Sequence, residues 1–97
     1  MPYKTTVLAD ADIVGAYIHG ARTFGKAQAE RYFADLTDCF AFLAERPMAG
    51  RERPELSPPV RVHFHKAHVI AYLVQSDGIL IVRVLDARQD WVTDLRS

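Results

Sequence analysis

Arg61, His63 and His65 alternate with Val62 and Phe64 in the stretch RVHFHKAHVIAYLVQ at residues 61–75, and His68 and Tyr72 follow closely. Three of the four histidines of the chain lie here. Imidazoles at such spacing suit three kinds of chemistry. A metal centre needs three or four converging ligands. His63 and His65 supply two and His68 is near, but no second cysteine or neighbouring carboxylate pair completes the set, so no metal or other cofactor is expected. A metal-free ribonuclease needs a base, an acid and cations around one phosphate. Arg61, His63, His65, Tyr72, Arg83 and Arg88 are suitable types, though their order in the chain does not make them converge. The third reading is a polar sheet face. On a strand Arg61, His63 and His65 share one side, while Val60, Val62 and Phe64 share the other. That places the histidines on a solvated face, away from the apolar packing, and this is the reading favoured here.

Other residues invite a partner instead of a reaction. Arg83 interrupts the apolar run ILIVRVL, on the side of Ile79, Ile81 and Leu85 by simple alternation. A buried arginine is costly alone, so it should reach solvent or a carboxylate, with Asp86 and Asp90 near in sequence. Trp91 either caps the edge of the core or anchors a partner, a frequent use of tryptophan. Phe42 falls on the polar side of its helix, between Arg31 and Asp35. The partner-binding candidates are therefore Phe42, Arg61, Arg83, Arg88, Asp90 and Trp91. Cys39 reads as a small core or boundary residue. Neither GxGxxG nor GxxxxGK occurs.

The elements that must position these residues follow from periodicity. PYKTTV at 2–7 is β-rich and reads as a first strand. A helix begins between Leu8 and Asp12, with Thr6 or Asp10 as its cap. Ile13, Val14, Tyr17, Ile18, Ala21 and Phe24 fall on one side of it, and Gly25 stops it. A second helix runs from about Lys26 to Arg46, where Pro47 closes it. Its apolar arc holds Ala29, Tyr32, Phe33, Leu36, Phe40, Leu43 and Ala44. The short link makes the two helices an antiparallel hairpin. PMAGRERPELSPP at 47–59, with four prolines, reads as a loop without regular structure. Strands follow at about 60–66, 68–75 and 79–86, the last two joined by Ser76-Asp77-Gly78. The order β-α-α-β-β-β gives an α+β fold of two layers, a helical hairpin on a small, mainly antiparallel sheet.

The 97 residues, 49% of them hydrophobic, suit a single domain over 1–97 with one core. Twelve basic and twelve acidic side chains cancel. Proteins that grip nucleic acid through phosphates carry a basic excess, so direct sequence-specific nucleic-acid binding is not expected. The single cysteine excludes an internal disulfide. MPYKTTVLAD has no signal-like apolar segment, and no run approaches the roughly 20 residues that span a bilayer. A soluble protein without membrane contact is expected.

Several motifs in order resemble the ParE toxins of the RelE/ParE superfamily. They are Ala9-Asp10-Ala11-Asp12-Ile13; Phe24-Gly25-Lys26-Ala27-Gln28-Ala29 with Tyr32; Phe40-Ala41-Phe42-Leu43-Ala44 with Pro47; Gly50-Arg51 with Pro54-Glu55-Leu56; Arg61; His68-Val69-Ile70-Ala71-Tyr72; Gly78-Ile79; and Arg83-Val84-Leu85. The resemblance covers nearly the whole chain. It implies the RelE-like fold and the toxin half of a type II toxin–antitoxin pair acting in the bacterial cytoplasm. It further implies inhibition of DNA gyrase by binding, without catalysis, and neutralisation by a ParD-like antitoxin whose C-terminal segment folds onto the toxin. Phe42, the apolar side of the first helix and the sheet edge are the ground offered to that segment. Asp86 stands where family members often carry His, in a C-terminal segment linked to toxicity. Two alternatives stand beside this one: a RelE-like ribosome-dependent mRNA endonuclease and an inactive homologue that only binds its antitoxin. RelE-like nucleases are typically very basic. Neutral charge and three lysines weigh against the endonuclease.

Overall fold

The computed structural model describes residues 2–56 and 58–96. Its elements are β1 (Tyr3–Thr5), α1 (Val7–Phe24), α2 (Lys26–Glu45), β2 (Arg51–Arg53), β3 (Val60–His65), β4 (His68–Gln75), β5 (Gly78–Asp86) and α3 (Trp91–Arg96). Of the two cap candidates, Thr6 is used. Its hydroxyl accepts from the Ala9 amide at 3.0 Å and donates to the Val82 carbonyl at 2.8 Å, so the start of α1 is fixed to β5. Gly25 ends α1 and opens α2 at φ 95°, a conformation that side chains disfavour.

Among the described residues the strands form one sheet in the order β1-β5-β4-β3-β2, antiparallel except where β1 runs parallel to β5. The α+β hairpin-on-sheet architecture is as expected, with two additions. β2 lies within the expected loop because Arg51, Glu52 and Arg53 precede the prolines at 54, 58 and 59 and are free to pair with Val62, Arg61 and Val60. Ser57 of that loop lies outside the described residues. α3 is the second addition, and Asp90 caps it by accepting from the Thr93 amide at 3.4 Å, with the Thr93 hydroxyl donating to its other oxygen at 2.7 Å.

Two apolar clusters sit on opposite faces of the sheet. Leu36, Phe40 and Leu43 of α2 and Ala9 of α1 pack on Ile70, Tyr72, Ile79, Ile81 and Val84. Cys39 is buried in this cluster as a small core residue. Phe33, read into the same arc, is instead 43% exposed, because α2 packs on the sheet only from Leu36 onward. On the other face Leu56, Val60, Val62, Val69 and Ala71 are covered by Trp91 and Leu95 of α3.

That second cluster corrects the reading of β3. Val60 and Val62 pack into it, so Arg61 and His63 stand on the helix-bearing side, paired with Tyr72 and Ile70. The histidines were expected away from the apolar layer formed by the helices. The opposite holds because the far face is itself covered, and β3 gives it the apolar alternation. The position of Arg83 is corrected as well. Tyr72 pairs with Ile81 but Ala71 pairs with Arg83, so Val82 is an extra residue and the alternation inverts there. Ile79, Ile81 and then Val84 face the helices, and Arg83 leaves their side.

Tyr72 is fully buried yet polar. Its hydroxyl donates to the Pro47 carbonyl at 2.7 Å and accepts from the Gly50 amide at 2.8 Å, clamping the turn after α2. Gly50 is required there, since an added Cβ would come within 2.5 Å of that hydroxyl.

Candidate functional site

The six candidates fall into three places. The first is the flank of α2. Phe42 is 44% exposed, with the Arg46 guanidinium 5.9 Å from its ring and the His63 ring at 6.1 Å. Arg61 lies on the same side of the sheet. It donates to the Gly50 carbonyl at 2.7 Å and stands 3.8 Å from Glu52, so the Tyr72 clamp also sets the position of its guanidinium.

The second place is the open edge of β5. Arg83 makes a two-pronged pair with Asp12 of α1, at 2.8 and 3.0 Å. Asp12 also accepts from the Val84 amide at 2.9 Å, filling the edge position beyond the reach of β1. The carboxylate partner expected near in sequence is thus replaced by one 71 positions away. Its hydrogen bond to Asp12 raises the Arg83 pKa further. Asp86 accepts from the Arg88 side chain at 2.9 and 3.1 Å and from its amide at 2.8 Å. Those bonds hold the Asp86 carboxyl down to about 2. Arg88 itself projects into solvent.

The third place is the far face. The Trp91 indole packs edge-on to Phe64 at 5.7 Å, and the Arg53 guanidinium lies 5.0 Å from its ring. Trp91 belongs to the second cluster, and Asp90 serves α3 as its cap.

A groove of about 920 Å³ runs between the helical hairpin and the turn joining β3 to β4. Tyr17 and Phe24 of α1 and Tyr32 and Phe33 of α2 line it, with His68 and Arg88 at its floor and rim. Phe24 is 63% exposed here. The Tyr32 hydroxyl and His68 Nδ1 share a hydrogen bond of 2.6 Å. Burial raises the Tyr32 pKa and lowers that of His68, so both stay uncharged at neutral pH. Lys66 of the turn reaches Asp35 of α2 at 2.7 Å and closes the groove on that side. An apolar trough with a polar rim suits a peptide segment better than a small charged substrate.

Arg88 borders the groove, while Phe42 and Trp91 do not. Tyr32, Phe24 and Phe33 carry it, although the sequence placed them on core-facing sides. One signal was available: alternation along β4 sets His68 on the side of Ile70 and Tyr72, toward the helices. The six residues considered for a ribonuclease do not converge. Tyr72 is committed to the clamp, Arg83 and Arg88 to carboxylates, and Arg61 and His63 stand on β3, with β4 between them and β5. Among the described residues no three His, Cys, Asp or Glu side chains gather as a metal would require.

Residues 3–91 match the family described as ParE toxin of type II toxin-antitoxin system, parDE. The chain is 32% identical over 94 residues to a protein of Escherichia coli named Toxin ParE, covering 96% of this chain and 91% of that one. Its fold is similar to a chain of the structure titled Chromosomal ParDE TA system from P. aeruginosa. The TM-score is 0.74 at 26% identity, over 89% of this chain and 95% of the other.

Proposed function

This chain belongs to the ParE toxins of type II toxin–antitoxin systems, and on that premise we propose that it inhibits DNA gyrase by binding, without catalysis, and is neutralised by a ParD-like antitoxin. The observation that carries the antitoxin half is the groove beside Phe24, Tyr32 and Phe33. A disordered segment that folds on binding needs such apolar ground to offset its ordering cost. The similar ParDE structure supports the same pairing. Phe42 extends this ground along α2, and the edge of β2 offers backbone groups for a further strand.

The gyrase half rests on the family and on the solvent-facing Arg88 beside the β5 edge. Neutral net charge fits action through a protein target instead of direct sequence-specific DNA reading. The dispersal of Arg61, His63, Tyr72, Arg83 and Arg88 over separate places weighs against a ribosome-dependent endonuclease. Among the described residues no helix is long and apolar enough to cross a membrane. The proposed place of action is the bacterial cytoplasm, with residues 1–97 acting as one toxin domain.

The test is supercoiling of relaxed plasmid by gyrase with increasing amounts of this protein, with and without its antitoxin. Inhibition that the antitoxin relieves is the expected result. Folded protein that leaves supercoiling untouched would sink the gyrase reading. Cleavage of mRNA on translating ribosomes would then separate an endonuclease from an inactive homologue.

A further inference from the structure

One wall of the groove is the turn between β3 and β4, which contributes Lys66, Ala67 and His68. Lys66 and Ala67 are exposed, and the first buried residues on either side of the turn are Val62 and Val69. Polar contacts tie the turn down. Lys66 Nζ reaches Asp35 of α2 at 2.7 Å. The Tyr32 hydroxyl bonds to His68 Nδ1 at 2.6 Å and lies 3.3 Å from the His65 carbonyl. The Ala87 amide donates to the Ala67 carbonyl at 2.8 Å. Lys66 stands at φ 53°, a left-handed conformation that costs a residue with a side chain. Such a turn can lift without opening either apolar cluster.

Two histidines lie under these ties. His65 and His68 are paired across the strands where the turn begins and ends. The Tyr32 ring is 6.0 Å from the first and 5.4 Å from the second. His65 Nε2 is buried with no hydrogen-bond partner among the described residues. A bare lone pair there costs little. A proton on it makes a charged donor with no acceptor, which is far more costly. The groups around His65 do not relieve that cost. Lys66 and His63 oppose charge on its ring, and Asp35, which favours it, is already bonded to Lys66. Around His68, Asp86 and Asp12 favour charge while His65 and Arg88 oppose it. Burial is the largest influence on both rings and holds each below its ordinary value of 6.5. Two charged rings directly opposite each other would also repel across the strand pair.

We propose that His65 and His68 form a proton-operated latch on the groove: neutral, they let the β3–β4 turn lie against α2, and protonated, they lift it into solvent. In the lifted turn both rings reach water and the orphan nitrogen finds a partner. The lifted turn therefore binds protons more tightly than the closed one. Closure is fully favoured above about pH 6.5 and weakens as the pH falls below that value. Lifting the turn removes one wall of the groove and breaks the bond from Ala87 to Ala67. A segment seated in the groove is then held less tightly in acid. The latch itself follows from the turn alone; only the release of the antitoxin in acid rests on the antitoxin reading given above.

The test is amide exchange of the full chain in low urea, read at Ala87 for the turn and at Leu43 for the core. Ala87 should exchange faster than Leu43 and with little dependence on urea, the mark of a local opening. Between about pH 7.5 and 5.5 each imidazole can favour opening by at most about tenfold, so the Ala87 protection factor should fall at least about fivefold with both. His65→Leu should reduce that fall, and His65→Leu with His68→Gln, which keeps an acceptor for Tyr32, should abolish it. An Ala87 amide that exchanges only together with Leu43 overturns the latch. So does protection that is constant or rises in acid, as it would if Asp35 left Lys66 for a charged His65, and so does a fall that persists in the double variant. Should the variants not fold, the wild-type rings decide: a His65 ring that titrates at 6.5 or above also overturns it. The affinity of the antitoxin should fall over the same pH range for the wild type and not for the double variant. An affinity indifferent to pH, with exchange as expected, would move the antitoxin off the groove and leave the latch standing.

Discussion

The two faces of the sheet bury similar strand residues by different means. On one face α2 lays Leu36, Phe40 and Leu43 over β1 and β5, each at or below 1% exposure. On the other a proline-rich loop and a six-residue helix supply Leu56, Trp91 and Leu95, and α3 has no fully buried residue. A helix that short gains little from its own hydrogen bonds and stays only through packing. The helix-side cluster therefore holds the fold together, and the far face is a thinner cover that finishes it. The family motifs are arranged accordingly: Phe40 and Leu43 lie in the thick layer, while the segment after Asp86 lies in the thin one.

The comparison breaks most readily at Phe40. Phe40→Ala should destabilise the chain by roughly 3–5 kcal/mol, a large share of a small domain's stability. Trp91→Ala on the far face should cost only about 1–1.5 kcal/mol, since its ring is partly solvated already. Urea denaturation of both variants checks this. Equal losses would mean that the far face is as structural as the helix side.

Periodicity made the thick layer legible and left the thin one hidden. The arc of α2 and the β3, β4 and β5 boundaries could be read almost to the residue, because each has a long apolar pattern and a clear stop. The far-face cover has neither. β2 is three residues long among prolines, and α3 is six residues with two apolar contacts. The histidine side of β3 was misread for the same reason, since an unseen cover made the far face look bare. The Val82 bulge inverted Arg83 because one inserted residue reverses alternation and leaves no mark in composition. Asp12 as the Arg83 partner was out of reach, since nothing local links positions 71 apart. Of the site, the residue types were legible, while the groove was not. It forms only where α1, α2 and the β3–β4 turn meet.

Two joints between the layers sharpen the contrast. Asp12 anchors α1 to β5 through Arg83 and the Val84 amide. Asp12→Asn should cost roughly 1.5–3 kcal/mol, the range for hydrogen bonds to charged groups. Amide exchange should quicken most at Val84. A loss spread evenly over the sheet would deny that this is a local anchor. Tyr72→Phe leaves the Gly50 amide and the Pro47 carbonyl without their partner, at about 1–2 kcal/mol. Gly50→Ala, which drives a methyl against the same hydroxyl, should be partly relieved in the double variant with Tyr72→Phe. Strict additivity of the two would contradict the clamp.

The smallest effect is expected at Asp86 and Arg88, where the chain leaves the thick layer for the thin one. The Asp86 carboxyl titrates near 2 when folded, below its ordinary value of 3.8, because Arg88 bonds to it. A depressed carboxylate contributes stability that is complete above the unfolded value and is lost as pH falls through the folded one. The window is therefore about pH 4 down to pH 2. Arg88 is 80% exposed, so solvent screens most of that contribution. Arg88→Ala should return the Asp86 titration, followed by carboxyl carbon shifts, toward 3.8 while barely moving the melting temperature at pH 7. Its effect on gyrase inhibition is then free of folding effects, which truncation after Asp86 is not, because truncation also removes Trp91 and Leu95 from the far-face cluster. A folded Arg88→Ala protein with full inhibition would exclude Arg88 from the gyrase contact. One with weakened inhibition and intact antitoxin binding would separate the gyrase contact at Arg88 from the hold of the antitoxin on the groove that Arg88 borders.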